Sequence, residues 1–300
     1  MFEVFTSSRS TFAHTEEGLF AWGDGAGGSL GDAGNRSRDR PIAIGLGAGA
    51  SQISGTSLST CAVLGDGRVS CWGDNANGGL GDGTLANHPE GIMVDGLSGV
   101  RRIAMGVGAF AVRADGSVLS WGAGTLGDRR SDEERMRPMQ VSGITAAIDV
   151  HTSGQLTCVT ESAGRIVCWG SNHEGAIGIS GPMASSVETP MVIEGLPPAT
   201  AVVTGAAPTD GHFACAIDRE GGVWCWGSNR MGQLGAADVL MSPQPLRIVG
   251  LPRVVELAAG IGHVCARGVD GLVYCWGDDG AGQLGDGQRR SPREAQAVRF

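Results

Sequence analysis

Eight cysteines are the residues of this sequence whose spacing most directly suggests chemistry. They form four pairs, and the members of each pair lie ten positions apart: Cys61 and Cys71, Cys158 and Cys168, Cys215 and Cys225, and Cys265 and Cys275. A turn-forming segment lies inside every pair, with a glycine one place past the midpoint, as in Gly65-Asp66-Gly67. This pattern is typical of a three-residue hairpin loop, in which residues i and i+10 face each other within reach of a disulfide. We therefore predict four hairpin disulfides.

Two further hairpins of the same pattern lack both cysteines. They carry Phe110 and Ser120 in one case, and Phe12 and Ala21 in the other. Joint absence favours covalent partners, since independent buried thiols have no reason to disappear in pairs; the alternative is that cysteine serves here only as a small apolar residue. Zinc is disfavoured because structural zinc sites use more closely spaced cysteines.

Disulfides predict an oxidising compartment: the cell exterior, a periplasm or the cell surface. The first residues show neither the basic region nor the apolar region of a signal peptide. A cytoplasmic protein with reduced thiols is therefore the competing interpretation.

Other motifs resemble catalytic or cofactor-binding patterns without their context. Gly23-x-Gly25-x-x-Gly28 matches the dinucleotide fingerprint, but no helix is predicted after it. Ser29 lies in a nucleophile-elbow pattern, yet glutamine fills the same place in other copies of this segment. The six histidines are scattered, and none has a metal-binding spacing. We expect no catalytic, cofactor-binding or metal-binding residues, no cofactor, and no enzyme activity.

The elements that carry these residues repeat about every 50 positions. A Trp-Gly pair marks each copy, with successive pairs 48 to 57 residues apart: Trp22, Trp72, Trp121, Trp169, Trp226 and Trp276. Short alternating segments separated by turns indicate strands rather than helices. Four short strands in each unit of about 50 residues are typical of a propeller blade. The tryptophans are expected to fill the core between blades, because each brings a large apolar area to one fixed place.

The repeat resembles that of the regulator of chromosome condensation family. Segments such as WGSNRMGQLG and WGDDGAGQLGDG, a preceding x-D-G turn and a following proline carry the resemblance, and six copies share it. The resemblance implies a β-propeller, here an all-β single domain over residues 1–300 with six four-stranded blades. We expect the C-terminal strand, Pro292 to Val298, to join the N-terminal blade and close the ring. The alternative is the family's seven-bladed propeller with one blade missing.

Composition narrows the choice of partner. The net charge is −9 and lysine is absent, so the chain lacks the basic surface of a nucleic-acid binder. No apolar run is long enough for a membrane span. We expect a monomer that binds an unknown protein partner, and a bacterial-like secreted or surface member of the family.

The resemblance implies a non-catalytic protein-interaction scaffold. Its alternatives are a guanine-nucleotide exchange factor for a small GTPase, which is the founding member's activity, and a secreted enzyme inhibitor, since one relative type inhibits β-lactamases. Two stretches break the repeat, residues 179–186 with 197–210 and a charged loop after the third copy. The candidate partner-binding residues in that charged loop are Arg129, Arg130, Asp132, Glu133, Glu134, Arg135 and Arg137.

Overall fold

Twenty-four β-strands and three short 3-10 helices make up the regular structure of the computed structural model. It describes residues 3–46, 49–128, 133–179, 184–207 and 211–298, and no α-helix occurs in these ranges. The strands form six four-stranded antiparallel sheets, which we number blades 1 to 6 in chain order. The predictions of an all-β fold and of six four-stranded blades are confirmed. Two compact units divide the chain, Met1–Val150 and His151–Phe300, and the prediction of a single domain stays a prediction.

The first unit contains blades 1 to 3, and each uses four consecutive strands. The strands of blade 1 are β1 (Glu3–Thr6), β2 (Ser10–Thr15), β3 (Gly18–Gly23) and β4 (Arg38–Ile44). Those of blade 2 are β5 (Ala50–Gly55), β6 (Ser59–Leu64), β7 (Val69–Gly73) and β8 (His88–Met93). Those of blade 3 are β9 (Val100–Met105), β10 (Gly108–Arg113), β11 (Val118–Gly122) and β12 (Met139–Gln140).

The second unit holds blades 4 to 6, although the first strand of blade 4 straddles the division. The strands of blade 4 are β13 (Ala147–Thr152), β14 (Leu156–Glu161), β15 (Ile166–Ser171) and β16 (Ser186–Val192). Those of blade 5 are β17 (Ala199–Ala206), β18 (His212–Asp218), β19 (Val223–Ser228) and β20 (Met241–Arg247). Those of blade 6 are β21 (Val254–Ala259), β22 (His263–Gly268), β23 (Val273–Gly277) and β24 (Gln296–Ala297).

The second and third strands of each blade form the hairpin on which the sequence analysis depended. In blade 2 the turn is Gly65-Asp66-Gly67, and Gly67 adopts a φ of +78°, a left-handed conformation that favours glycine. Cys61 lies directly opposite Cys71 in the register of β6 and β7. The structure bonds all four cysteine pairs, with Cα atoms 4.1 to 4.2 Å apart.

The hairpins without cysteines keep the same register. Phe12 faces Ala21 in blade 1, and Phe110 faces Ser120 in blade 3. Both phenylalanines are fully buried. A large apolar side chain opposite a small one therefore occupies the place that a disulfide takes in the other four blades.

The predicted closure by the C-terminal strand is wrong. β24 pairs with β23 of its own blade, where Gln296 lies opposite Cys275, and the Val298 N–H donates to the Val273 carbonyl at 2.8 Å. Blade 1 obtains its first strand from β1, whose Phe5 lies opposite Phe12. The physical reason is the short connection from β23 to β24, because pairing within one blade closes a smaller loop than pairing with the other end of the chain.

Candidate functional site

The connections between strands divide each blade into two ends. At one end lie the link from the first to the second strand and the long glycine-rich link from the third to the fourth; we call this the loop end. The tight turn between the second and third strands lies at the other end, which we call the turn end, together with the link to the next blade. The charged loop belongs to the link from β11 to β12 of blade 3, and the stretch after Ile179 belongs to the link from β15 to β16 of blade 4, so both are loop-end links. The largest departures from the repeat therefore lie mainly at the loop ends.

A buried side chain holds each glycine-rich loop in shape in four blades. In blade 5 the Asn229 Oδ1 accepts a hydrogen bond from the Leu234 backbone N–H at 2.8 Å, and the Asn229 amide donates to two loop carbonyls. The residues at the same place in blades 2, 4 and 6 accept equivalent bonds: Asn75, Asn172 and Asp279. Buried polar side chains of this kind fix a loop because their hydrogen bonds are costly to break. Asp279 thus caps backbone groups.

The motif tryptophan of a blade donates a hydrogen bond to the glycine-rich loop of the blade before it. The Trp72 Nε1–H donates to the Ser29 carbonyl at 2.8 Å, and the Trp121 Nε1–H donates to the Gly79 carbonyl at 2.8 Å. In the second unit, Trp226 donates to the Ala176 carbonyl and Trp276 to the Gln233 carbonyl, at 3.0 and 2.9 Å. These four tryptophans and Trp169 have no solvent exposure.

Trp22 differs from the other five motif tryptophans. It is half-buried, and its Nε1–H has no acceptor among the residues that the structure describes. Together with Phe20, Pro41, Glu16 and Glu17 it lines a cavity of about 450 Å³ on blade 1. The face of blade 1 that carries Trp22 is therefore less well packed than the equivalent faces of the blades in which this tryptophan is fully buried.

Apolar side chains are exposed at several loop ends. Leu58 of blade 2, Leu240 of blade 5 and Ile261 of blade 6 are exposed by 41%, 61% and 65%. Ion pairs also lie at loop ends: Arg9 pairs with Asp24 in blade 1, and Arg230 of blade 5 pairs with Glu174 of blade 4. A surface that combines rigid loops with exposed apolar groups suits contact with another protein.

The charged loop that the sequence singled out is only partly described. Arg129, Arg130 and Asp132 lie outside the described residues, and Glu133 and Glu134 begin a short 3-10 helix, Glu133–Met136. The Arg135 Nη1–H donates to the Gly124 carbonyl at 3.0 Å.

Arg137 packs on the neighbouring loop. Its guanidinium lies 2.5 to 2.6 Å from the point that a Cβ on Gly83 would occupy. These two arginines therefore hold the loop against the protein, and the role of the loop in partner binding stays a prediction.

Residues that resembled catalytic groups have structural contacts. The Ser29 hydroxyl donates to the Asp24 carbonyl at 2.8 Å, and Gly25 lies so close to Arg36 that no Cβ could fit. His212 Nδ1 lies 3.2 Å from the Ser153 hydroxyl. Among the described residues, no group of three or more histidine, cysteine or carboxylate side chains could hold a metal ion. The same residues contain no helix long and apolar enough to cross a membrane.

Burial strongly alters the titration of His151. It lies on β13, and its Nδ1 accepts a hydrogen bond from the Thr204 backbone N–H at 3.1 Å, with the Thr204 hydroxyl 3.0 Å away. Burial lowers its pKa to about 4, because the charged ring would lose its hydration. His151 is therefore neutral at pH 7, and sequence spacing gave no signal of this contact.

Comparison with known proteins identifies the repeat. Models of the regulator of chromosome condensation (RCC1) repeat match residues 220–267, and residues 50–78 and 254–283. The chain is 30% identical over 165 residues to human E3 ubiquitin-protein ligase HERC2, which covers 52% of this chain and 3% of that protein. It is 30% identical over 154 residues to the Drosophila melanogaster regulator of chromosome condensation, which covers 50% of this chain and 27% of the relative. The matches thus span only a small part of these relatives.

Solved structures extend the likeness to nearly the whole chain. Yeast RCC1 (Prp20), in its crystal structure with Kap60, superposes with a TM-score of 0.86 at 20% identity, over 99% of this chain and 74% of that one. Human WBSCR16 gives a TM-score of 0.83 at 18% identity, over 99% of this chain and 82% of that one. At such identities the likeness shows the propeller fold alone. Together with the repeat matches over residues 50–78 and 220–283, it agrees with the RCC1-type repeat propeller that the sequence predicts.

Proposed function

We propose that this chain is a non-catalytic scaffold that binds a protein partner through the loop ends of its blades. The observation that carries the proposal is that the loops are held in a fixed conformation although their sequences vary. Buried asparagine and tryptophan side chains hold the glycine-rich loops in one conformation, as in the bonds of Asn229 to Leu234 and of Trp226 to Ala176. Those loops then differ in sequence from blade to blade and expose apolar groups. Rigid loops lose little entropy on binding, which favours recognition.

The relatives agree with an interaction role. The yeast RCC1 structure is that of a complex with Kap60, and a second structure of Prp20p from Saccharomyces cerevisiae is described with its binding to Gsp1p and histones. Both describe a propeller that contacts other proteins. For this chain, which covers about three quarters of those propellers, the identity of the partner is a separate question.

We place this function in an oxidising compartment, as a bacterial-like secreted or surface protein. The four bonded pairs support this, because three of them are fully buried and all lie opposite each other in hairpins. Mass spectrometry of the protein from its native source, under non-reducing conditions, is expected to show four intact bridges. Eight free thiols would refute this location and favour the cytoplasm.

Photo-crosslinking tests which end binds. Leu58 and Met93 of blade 2 are both apolar and both 41% exposed; Leu58 lies at the loop end, just before β6, and Met93 ends β8 at the turn end. A photoreactive amino acid at position 58 is expected to capture a partner in the native source. The same residue at position 93 serves as the matched control. Equal capture at both positions, or capture at 93 alone, would contradict the proposal.

The two alternative functions have direct assays. Faster nucleotide release from a small GTPase would favour an exchange factor, to which the similarity with the Drosophila regulator of chromosome condensation points. Inhibition of a secreted enzyme such as a β-lactamase would favour the inhibitor. Both activities also require a protein contact, so the crosslinking result would show which end makes it.

A further inference from the structure

The turn end of blade 5 carries a groove that the loop-end function does not use. Two adjoining cavities, of about 400 and about 210 Å³, share Glu220 and Arg247 and form this groove, which we call the Trp224 groove. The first cavity is lined by Trp224, Pro197, Pro198, Arg219 and Asp218, and the second by Leu251, Pro252 and Arg253 among others. Each cavity is large enough for one or two side chains of a peptide.

The wall around Trp224 is held rigidly. The Trp224 Nε1–H donates to Asp218 Oδ2 at 2.9 Å, while Asp218 Oδ1 accepts from the Glu220 and Gly222 backbone N–H groups at 2.9 and 2.8 Å. Burial acts to raise the pKa of Asp218, but these three hydrogen bonds and the charge of Arg247 outweigh it and lower the pKa. Asp218 is therefore ionised, and its oxygens already accept bonds from the wall of the groove. The indole ring of Trp224 is fixed as one apolar surface.

Three arginines line the groove: Arg219, Arg247 and Arg253. None lies within ion-pair distance of a carboxylate in the part of the chain that the structure describes, and the charge of Arg247 acts on Asp218 from further away. The Arg219 Nη2–H donates only to a backbone carbonyl of the neighbouring turn, at 3.1 Å.

The stem of Arg253 packs on Gly221, which leaves its guanidinium at the edge. Glu220 is the one carboxylate of the lining that no backbone N–H occupies. Three arginines against the two carboxylates of Asp218 and Glu220 give the lining a net positive charge, in a chain whose net charge is −9.

We propose that the Trp224 groove binds an extended acidic peptide segment of a protein partner. An apolar side chain of the peptide packs on Trp224, Pro197 and Pro198, and its carboxylates contact Arg247 and Arg253. Arginine is suited to this role because its planar guanidinium pairs with a carboxylate through two hydrogen bonds. The alternation of apolar and basic surface distinguishes the groove from a purely electrostatic patch. The groove lies at the turn end, so this proposal does not depend on the proposal that the loop ends bind a partner.

The test measures fluorescence anisotropy of a fluorescein-labelled peptide, EDEFPEDE, with the neutral peptide QNQFPQNQ as a control. We expect the acidic peptide to bind and the neutral one to bind at least roughly tenfold more weakly. The Arg247→Glu variant is expected to weaken binding by roughly tenfold, because it reverses a charge inside the groove. Glu220→Gln is expected to strengthen binding by about two- to threefold, since it removes the opposing carboxylate. Both positions bear exposed side chains, so the variants are expected to fold.

The matched control is Arg289→Glu, which makes the same charge change on an exposed residue at the loop end of blade 6. It is expected to change the affinity by less than about twofold. Equal weakening by Arg247→Glu and Arg289→Glu would overturn the proposal, as would equal binding of the neutral peptide. Heparin is the competitor. If heparin binds more tightly than the peptide and depends more strongly on Arg247, the groove is a site for polyanionic polysaccharide and the peptide assignment is wrong.

Discussion

Replacement of Trp226 by phenylalanine tests the contact that joins a blade to the one before it. Trp226 is fully buried in a cluster with Leu156, Ile177 and the Cys158–Cys168 disulfide, and its Nε1–H donates to the Ala176 carbonyl at 3.0 Å. Phenylalanine keeps the aromatic contact but has no donor and a smaller volume. The substitution therefore removes one hydrogen bond and leaves a small cavity.

The expected cost follows from these two changes. A buried carbonyl that loses its donor costs about 1–3 kcal/mol. The missing part of the ring leaves roughly 40 Å³, which costs about 1 kcal/mol where the site does not collapse. We expect Trp226→Phe to lower the free energy of unfolding by about 2–4 kcal/mol. The matched control, Trp22→Phe, is expected to cost less than about 1 kcal/mol, because Trp22 is half-buried and has no acceptor among the described residues.

Urea unfolding monitored by circular dichroism compares the two variants with the parent protein. Hydrogen exchange adds a local measurement, since the Ile177 amide, which bonds to Asn172 Oδ1, is expected to exchange faster in Trp226→Phe. If both variants lower stability equally, or if the Ile177 amide is unaffected, the tryptophan-to-carbonyl bond does not couple the loop to the next blade.

Two further predictions concern the second unit. The neutral His151 has a pKa of about 4 in the folded protein and an ordinary value of 6.5 when unfolded, so the unfolded chain binds the extra proton between these values. Stability is therefore expected to fall as pH drops from about 6.5 to about 4, by up to about 3 kcal/mol; His151→Asn should flatten this part of the stability–pH curve, and an unchanged slope would contradict the assignment. Replacement of both Cys215 and Cys225 by alanine is expected to lower the free energy of unfolding by about 2–3 kcal/mol. A reductant should lower the free energy of unfolding of the parent protein as well. If the parent stays equally stable once titration shows that all eight cysteines are reduced, the predicted contribution of the disulfides is contradicted.

The hairpin architecture could be predicted from the sequence because its determinants are local. Ten residues separate Cys215 from Cys225, and a glycine at a fixed place in the turn sets which residues face each other. In blade 1 the facing residues, Phe12 and Ala21, are nine positions apart because the turn there is one residue shorter. Register in a hairpin depends on turn length, which is visible in the sequence.

The assignment of the outer strands and of the Trp224 groove needed the structure. The segment ending at Val298 was predicted to pair with the start of the chain, but its N–H bonds to the first residue of β23 in the same blade. The N–H groups of Val94 and Ile248 bond in the same way to the first residue of the third strand in blades 2 and 5. The groove combines residues of blade 5 with residues of the two links that flank it, so no sequence motif contains it. Trp224 precedes the motif tryptophan Trp226 by two residues, and this extra aromatic was its only signal.

The four tryptophan-to-carbonyl bonds among the described residues each run from one blade to the blade before it, and this has a consequence for the order in which the protein unfolds. Trp72 of blade 2 bonds to Ser29 of blade 1, and Trp276 of blade 6 bonds to Gln233 of blade 5. Blades 2 and 6 are thus each stabilised by the blade before them. In an array with such nearest-neighbour cooperativity, melting begins where a link is absent. Blade 1 supplies an acceptor, but its Trp22 donates to no carbonyl among the described residues. Fraying should therefore start at blade 1, and limited proteolysis should first nick its outer strand.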